Sequence, residues 1–486
     1  MFKFFLYLRT CDDHRKSIKA RSKPEVIPAE QALFKIRPML KNYITLLLLT
    51  FAGFGLNAQC PLGDVTLSSQ AEVDSFVADY PDCTEIAGEL VIGGGLSSTT
   101  DITNISGLSG LTSIAGKLRI RFNAVLTSLT GLEQLTFVGV DLSIRVNPVL
   151  TSLEGLEQLT SIGRNFFLEE NASLTSLAGL SQLTSIGGSL SVDGNAGLTS
   201  LTGLGQLTSF DGGLSIHSNP GITSLAGLEN ITSIGKSVFI YDNAGLTSLT
   251  GLENMTSIGQ SLDIRTNNDL TSLTGLGQLT SIGGYLLVSD NPSLTSLTGL
   301  EQLTSIGGDF WIEDNVSLMS LTELEQLTSI GENLHIDGND ALTSLLGLEN
   351  IDVTTINNLL IESNPQLFTC AVASICDYLG VETNTADISG NAMGCATREE
   401  VEMACMVPAT DISPTHIELF PNPTNGMLQL RNITAKEVVV YTAQGQRIAR
   451  YDNPGQELDL RALPTGVYHL HLITADAAYA ARVVKQ

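Results

Sequence analysis

The sequence predicts an all-β protein, in which a β-solenoid of about eleven 24-residue coils is closed by disulfide-bonded caps and followed by a small C-terminal β-sandwich. Three observations carry this reading. Asparagine recurs every 24 residues at Asn123, Asn147, Asn171, Asn195, Asn219, Asn243, Asn267, Asn291, Asn315 and Asn339, with a last step of 25 to Asn364. Within each copy the apolar residues are spaced first by three and then by two. Six cysteines flank the repeats and none lies inside them. A fixed period in this range is the signature of stacked repeats and outranks any local secondary-structure reading.

Taken in order, residues 1–58 read as an upstream extension and a signal peptide. Lys41 precedes an uncharged run from Ile44 to Leu56, and Asn57-Ala58-Gln59 supplies a small-residue cleavage site after Ala58. The true start is expected at Met39. The apolar run is too short to span a bilayer, and Gln59 before Cys60 does not fit a lipoprotein signal, which needs a small residue there. Export of the chain is therefore expected, with no transmembrane segment in the mature protein.

Composition agrees with an exported, non-nucleic-acid-binding chain. The net charge of −26 disfavours nucleic acid and anionic membrane surfaces as partners. It is also segregated: residues 1–41 hold ten of the 25 Lys/Arg and four of the 51 Asp/Glu.

Cys60 and Cys83 would close an N-terminal cap at 59–89, where Gln70 to Tyr80 reads as a short helix. Cys370, Cys376, Cys395 and Cys405 fall in a second cap at 365–406. Three pairings of these four are possible, and 370 with 395 and 376 with 405 is the one favoured. An even set in an exported chain reads as disulfides, and Cys-x5-Cys with Cys-x9-Cys lacks the tight spacing of a zinc site.

The solenoid at 90–364 is built on one phrase. Counted from the asparagine, apolar residues stand at +3, +6, +9, +12 and +15, then +19 and +21; in one copy they are Leu174, Leu177, Leu180, Leu183, Ile186, Leu190 and Val192. Spacing two predicts one strand per coil with a single buried face. Spacing three predicts tight bends between short extended pieces, with a helical turn at Gly-Leu-Glu-Gln-Leu. The glycine at +16, as in Gly139, Gly163 and Gly259, is expected to supply a positive-φ corner. A lone coil buries too little to stand, so neighbours must share the core. The asparagines then form a polar ladder bonding the backbone of adjacent turns. The Thr-Ser pairs either do likewise or face water.

Leu-x-Ile-x-x-Asn with trailing leucines resembles a leucine-rich repeat, but this chain has its apolar residue at +3 instead of +2 and usually a glycine eight residues before the asparagine. With Leu-Thr-Ser-Ile-Gly-Gly before the next strand, residues 84–391 more closely resemble the receptor L domain. That resemblance implies a right-handed β-solenoid like the ligand-binding lobes of insulin and growth-factor receptors.

After a Pro/Thr/Asp linker at 407–416, residues 417–486 alternate apolar strands with turns: Pro421-Asn422-Pro423-Thr-Asn-Gly426, Gly445, then Gly466-Val-Tyr468 and a closing Lys485-Gln486. These phrases predict a small Ig-like β-sandwich. In that order they resemble the type A C-terminal sorting domain of the type IX secretion system in Bacteroidota. The resemblance implies export across the outer membrane by that machinery, removal of the domain, and often attachment to surface lipopolysaccharide.

Nothing in the coils reads as catalytic. His217 and His335 lie five coils apart in different columns; no His-Glu-x-x-His, Walker loop or nucleophile elbow is present. Only seven Lys/Arg (Lys117, Arg119, Arg121, Arg145, Arg164, Lys236 and Arg265) occur in the coils, so the charge clusters of a polysaccharide lyase are not expected. Neither a metal site nor a cofactor is expected.

The variable positions four and two residues before each asparagine face outward on the strand. Candidate ligand contacts there are Phe167, Glu169, Asp193, His217, Phe239, Tyr241, Arg265, Trp311, Glu313 and His335. Exposed aromatics among polar groups suit protein contacts or stacking on sugar rings. The expected function is a secreted or surface-attached, non-enzymatic binding module for a protein or glycan, with a structural spacer as the alternative and a polysaccharide-degrading enzyme as the least favoured.

Overall fold

The computed structural model describes residues 60–95, 100–406, 418–431, 434–442, 447–473 and 478–486. The signal segment 1–58, the linker 407–416 and Gly445 lie outside the described residues.

Alternation of side chains at period two places Leu190 and Val192 inward and Ser191 and Asp193 outward on the strand Leu190–Asp193. Each such strand pairs in parallel with those one coil away, Leu190 against Phe166 and Leu214, to build a 14-stranded sheet. The stack is longer than the eleven coils expected. Val65–Leu67 and Thr385–Ser389 bring the two caps into the same sheet, and Leu90–Gly93 adds a strand ahead of the first periodic asparagine. The leucine columns are buried without exception, from Leu126 to Leu367, and form one continuous core.

The three-residue spacing produces bends and two-residue strands. Ser161–Ile162 and most of its equivalents pair in parallel with the coil before, the preceding threonine adding two rungs: the Thr160 N–H and hydroxyl both donate to Thr136 O at 3.0 Å. The helical turn falls one residue earlier than Gly-Leu-Glu-Gln-Leu, at Ala178–Leu180 and Thr322–Leu324, and in most coils is only a turn. There the glutamate folds back, Gly299 N–H donating to Glu301 Oε1 at 3.0 Å, which satisfies an otherwise orphaned donor.

The glycines at +16 do not have positive φ; most positive-φ glycines of the coils stand at +8, as in Gly131 (φ 119°) and Gly203 (φ 121°). What requires glycine at +16 is contact between coils. A Cβ on Gly163 would lie 2.0 Å from Gly139 O, and one on Gly259 would lie 2.1 Å from Gly235 O. Asp211 occupies this column in the coil of Asn195, and the short-strand sheet breaks at that coil into pieces of five and six strands. Above and below the break Gly187 N–H reaches Ile162 O at 2.9 Å and Gly235 N–H reaches Phe210 O at 3.2 Å. Among the described residues Asp211 and Thr208 lack the corresponding bonds to Ile186 and Thr184.

The asparagines are fully buried in a column beside the long sheet. Asn243 is representative. Its backbone N–H and Nδ2 donate to Asn267 Oδ1 at 3.1 and 3.3 Å, Nδ2 also donates to Ile216 O at 2.9 Å, and its own Oδ1 accepts from Asn219 N–H at 3.2 Å. One side chain therefore joins three coils. The column extends at each end to a residue outside the 24-residue period: Thr100 donates to Asn123 Oδ1 at 2.7 Å, and Asn364 donates to Asn391 Oδ1 at 3.0 Å. The residue before each asparagine is left-handed, as in Glu170 (φ 56°), Thr266 (φ 56°) and Gly194 (φ 65°), and turns the amide inward.

The ends are closed by short helices and disulfides. Gln70–Asp79, capped by the Ser69 side chain on Glu72 N–H, lays Val73 and Phe76 on the core beside Cys60–Cys83. At the far end Cys370–Cys395 and Cys376–Cys405 tie down the helices Ala373–Leu379 and Arg398–Met406. Among the described residues no helix is long and apolar enough to cross a membrane. Residues 418–486 form antiparallel sheets of three and four strands around Leu428, Val438, Val440, Leu458, Leu470 and Leu472.

Two stability measurements test this account. Asn243→Ala strands the buried Asn219 N–H and Ile216 O and is expected to cost at least about 3 kcal/mol in urea unfolding, with a smaller loss for Asn391→Ala at the half-buried end. Asp211→Gly is expected to restore the missing rungs, raising stability by roughly 1 kcal/mol and slowing hydrogen exchange at the Thr208 amide.

Candidate functional site

Parallel register aligns equivalent positions of successive strands at about 4.8 Å, so outward side chains of one column touch their neighbours. The column two residues before the asparagine forms a continuous series. Asp193 Oδ1 lies 2.8 Å from His217 Nδ1, the imidazole stacks on Tyr241 with centroids 4.5 Å apart and planes at 6°, and the Arg265 guanidinium sits over the same ring, 5.0 Å from its centroid. Further along, Trp311 meets Tyr285 at 5.6 Å and His335 edge-on at 6.0 Å, with Glu313 4.0 Å from His335. The indole Nε1 of Trp311 is shut from solvent and has no acceptor among the described residues.

Tyr241 and Trp311 are three strands apart, about 14 Å at this spacing. The face thus carries two aromatic groups in place of one site. Phe167 lies nearer the N-terminal end, at the rim of a cleft, and Phe239 stands half-buried on the strand of Tyr241. Tyr285 was not among the expected contacts because it lies six residues before its asparagine, just outside the strand as read. Its parity with the other outward positions is the signal that finds it.

The seven Lys/Arg of the coils argued against a lyase-like charge cluster, yet four of them gather in one place. Lys117, Arg119, Arg121 and Arg145 line one cleft of about 470 Å³ at the N-terminal end of the sheet, because the strand Leu118–Arg121 carries or follows the first three and stacking places Arg145, at the end of the next strand, in register beside Arg121. Three of them face carboxylates: Lys117 with Asp141 at 2.8 Å, Arg119 with Glu89 at 3.1 Å, and Arg145 with Glu169 at 2.6 Å. The Lys117 and Asn165 hydrogen bonds more than offset the burial of Asp141 and hold its carboxyl below the usual range.

Elsewhere on the face burial dominates. It raises Glu169 despite Arg145, and raises Asp263 despite Arg265 3.2 Å away. It likewise raises the Tyr241 and Tyr285 hydroxyls. At the C-terminal end burial and then the neighbouring Asp337, Asp314 and Asp290 push Glu313 above its ordinary 4.5. A carboxyl held up in the folded state costs stability while it is ionised, and the cost is relieved as pH falls through the raised value toward 4.5. Glu313→Gln is therefore expected to raise the melting temperature slightly at pH 7 and to make no difference well below pH 4.5.

In the C-terminal module the turn residues hold the strand ends. Asn422 Oδ1 accepts from Val484 N–H at 2.9 Å, Gly426 has φ 116° against Arg461, and Tyr468 donates to Pro464 O at 2.6 Å. Lys485 Nζ donates to the carbonyls of Arg461 and Leu463, closing the chain end over the loop before Gly466. Pro421 and Pro423 both follow cis peptide bonds in the segment joining its first two strands.

No curated protein matches the chain. Residues 254–377, the later coils and the start of the C-terminal cap, match the family model described as Receptor L domain. Residues 418–486 match the model described as Secretion system C-terminal sorting domain. The chain thus joins a receptor L-domain-like β-solenoid to a C-terminal sorting domain that directs export to the cell surface or beyond.

Proposed function

We propose that this protein is a non-enzymatic surface binding module whose outward strand face holds a protein or glycan. In this reading the signal segment 1–58 is removed after Ala58 on passage to the periplasm, and the type IX machinery recognises 417–486 and carries the solenoid across the outer membrane. The observation that carries the reading is the pair of aromatic groups around Tyr241 and Trp311, half-buried on a rigid sheet and flanked by carboxylates and Arg265. Preorganised aromatic surface with adjacent polar groups suits recognition at low entropic cost. The receptor L-domain match over the coils that include Trp311 supports it.

The full chain is to be screened against arrayed glycans and against intact cells of neighbouring species. Binding that falls about tenfold or more in the Trp311→Ala, Tyr241→Ala double variant, with folding unchanged by circular dichroism, is the expected result. Ordered self-association without any ligand would instead identify a structural spacer, and release of products from a polysaccharide would identify an enzyme.

A further inference from the structure

Of the four cations around the N-terminal cleft, three face a carboxylate on a neighbouring strand, and the fourth does not. Arg121 makes no side-chain hydrogen bond or ion pair among the described residues, and its Nε is shut from solvent without an acceptor. In register beside it stands Arg145, a like charge. A guanidinium with a desolvated, unsatisfied donor next to another cation costs free energy unless an anion completes it.

The cleft offers such an anion room and a second contact. Ser143 lies on the next strand, and Phe167 at the rim is two strands from Arg121, about 10 Å. That distance lets a ring lie on the phenyl face while an acidic substituent reaches the guanidinium fork. The cleft spans three neighbouring strands, from Arg121 through Ser143 and Arg145 to Phe167. We propose that it binds a carboxylate- or sulfate-bearing sugar of an acidic polysaccharide, with Arg121 as the anchor and Phe167 as the stacking platform. The proposal deepens the binding-module reading by naming a ligand class for one end of the face.

Affinity of the full chain for polygalacturonate, dextran sulfate, neutral dextran and poly-glutamate tests it. Binding of polygalacturonate, dextran sulfate or both, weakened by salt, with neutral dextran inert, is expected; which of the two binds separates carboxylate from sulfate. Arg121→Gln is expected to weaken it about tenfold or more and Arg121→Lys less, because lysine keeps the charge without the fork. Arg164→Gln, an exposed cation outside the cleft, is the unaffected control.

Absence of binding to both acidic polymers overturns the proposal, as does equal affinity for poly-glutamate. So does binding that Arg121→Gln leaves intact. If that intact binding is lost in the Trp311→Ala, Tyr241→Ala variant, the general reading survives and only the cleft assignment falls.

Discussion

A primary amide at the edge of a parallel sheet governs this molecule. Each coil must close on itself and also meet the next at strand spacing, and a carboxamide is well suited to both because it donates twice and accepts twice. Asn243 donates from Nδ2 both to a strand carbonyl in the coil before it and to Asn267 Oδ1 in the coil after, while its own Oδ1 accepts from Asn219 N–H. Aspartate could not donate, and a longer side chain would not fit a column with no exposed surface. The left-handed residue before each asparagine, which costs roughly 1–2 kcal/mol when it is not glycine, is tolerated because the ladder determines it from both sides.

Coil-to-coil distance also dictates the opposite short-strand side, where Gly139, Gly163 and their equivalents let carbonyls approach far closer than a Cβ permits. Both sides being held at one spacing keeps the outward columns in register over the whole sheet. A ring on one coil therefore meets a ring, a cation or a carboxylate on the next, as His217 meets Tyr241 and Tyr241 meets Arg265. The recognition face is a by-product of the constraint that builds the core.

Period and parity explain what could be read in the residues and what could not. The long strands and the outward pointing of Phe167, Tyr241 and Trp311 follow from spacing, and the caps from the cysteines. The disulfides Cys370–Cys395 and Cys376–Cys405 took the pairing favoured over two others. The extra strands at Val65–Leu67 and Thr385–Ser389 were not legible, because those segments lack the leucine spacing and join the sheet only through backbone pairing. Thr100 and Asn391 escaped for the same reason: both sit off the period. The role given to Gly163 was wrong in kind, since a sequence shows that a side chain is missing without showing whether a torsion or a neighbour demands it. The basic cleft was missed because counting Lys and Arg along the chain ignores that Arg121 and Arg145 become adjacent once coils stack.

Stacking by identical steps also makes the face a ruler. Gaining or losing one whole coil would move the cleft relative to Trp311 by one strand spacing, about 4.8 Å, and would leave the ladder, the glycine column and the leucine core unbroken. Reach along an elongated ligand could thus be retuned by duplication of a unit, with no residue on either contact point rewritten.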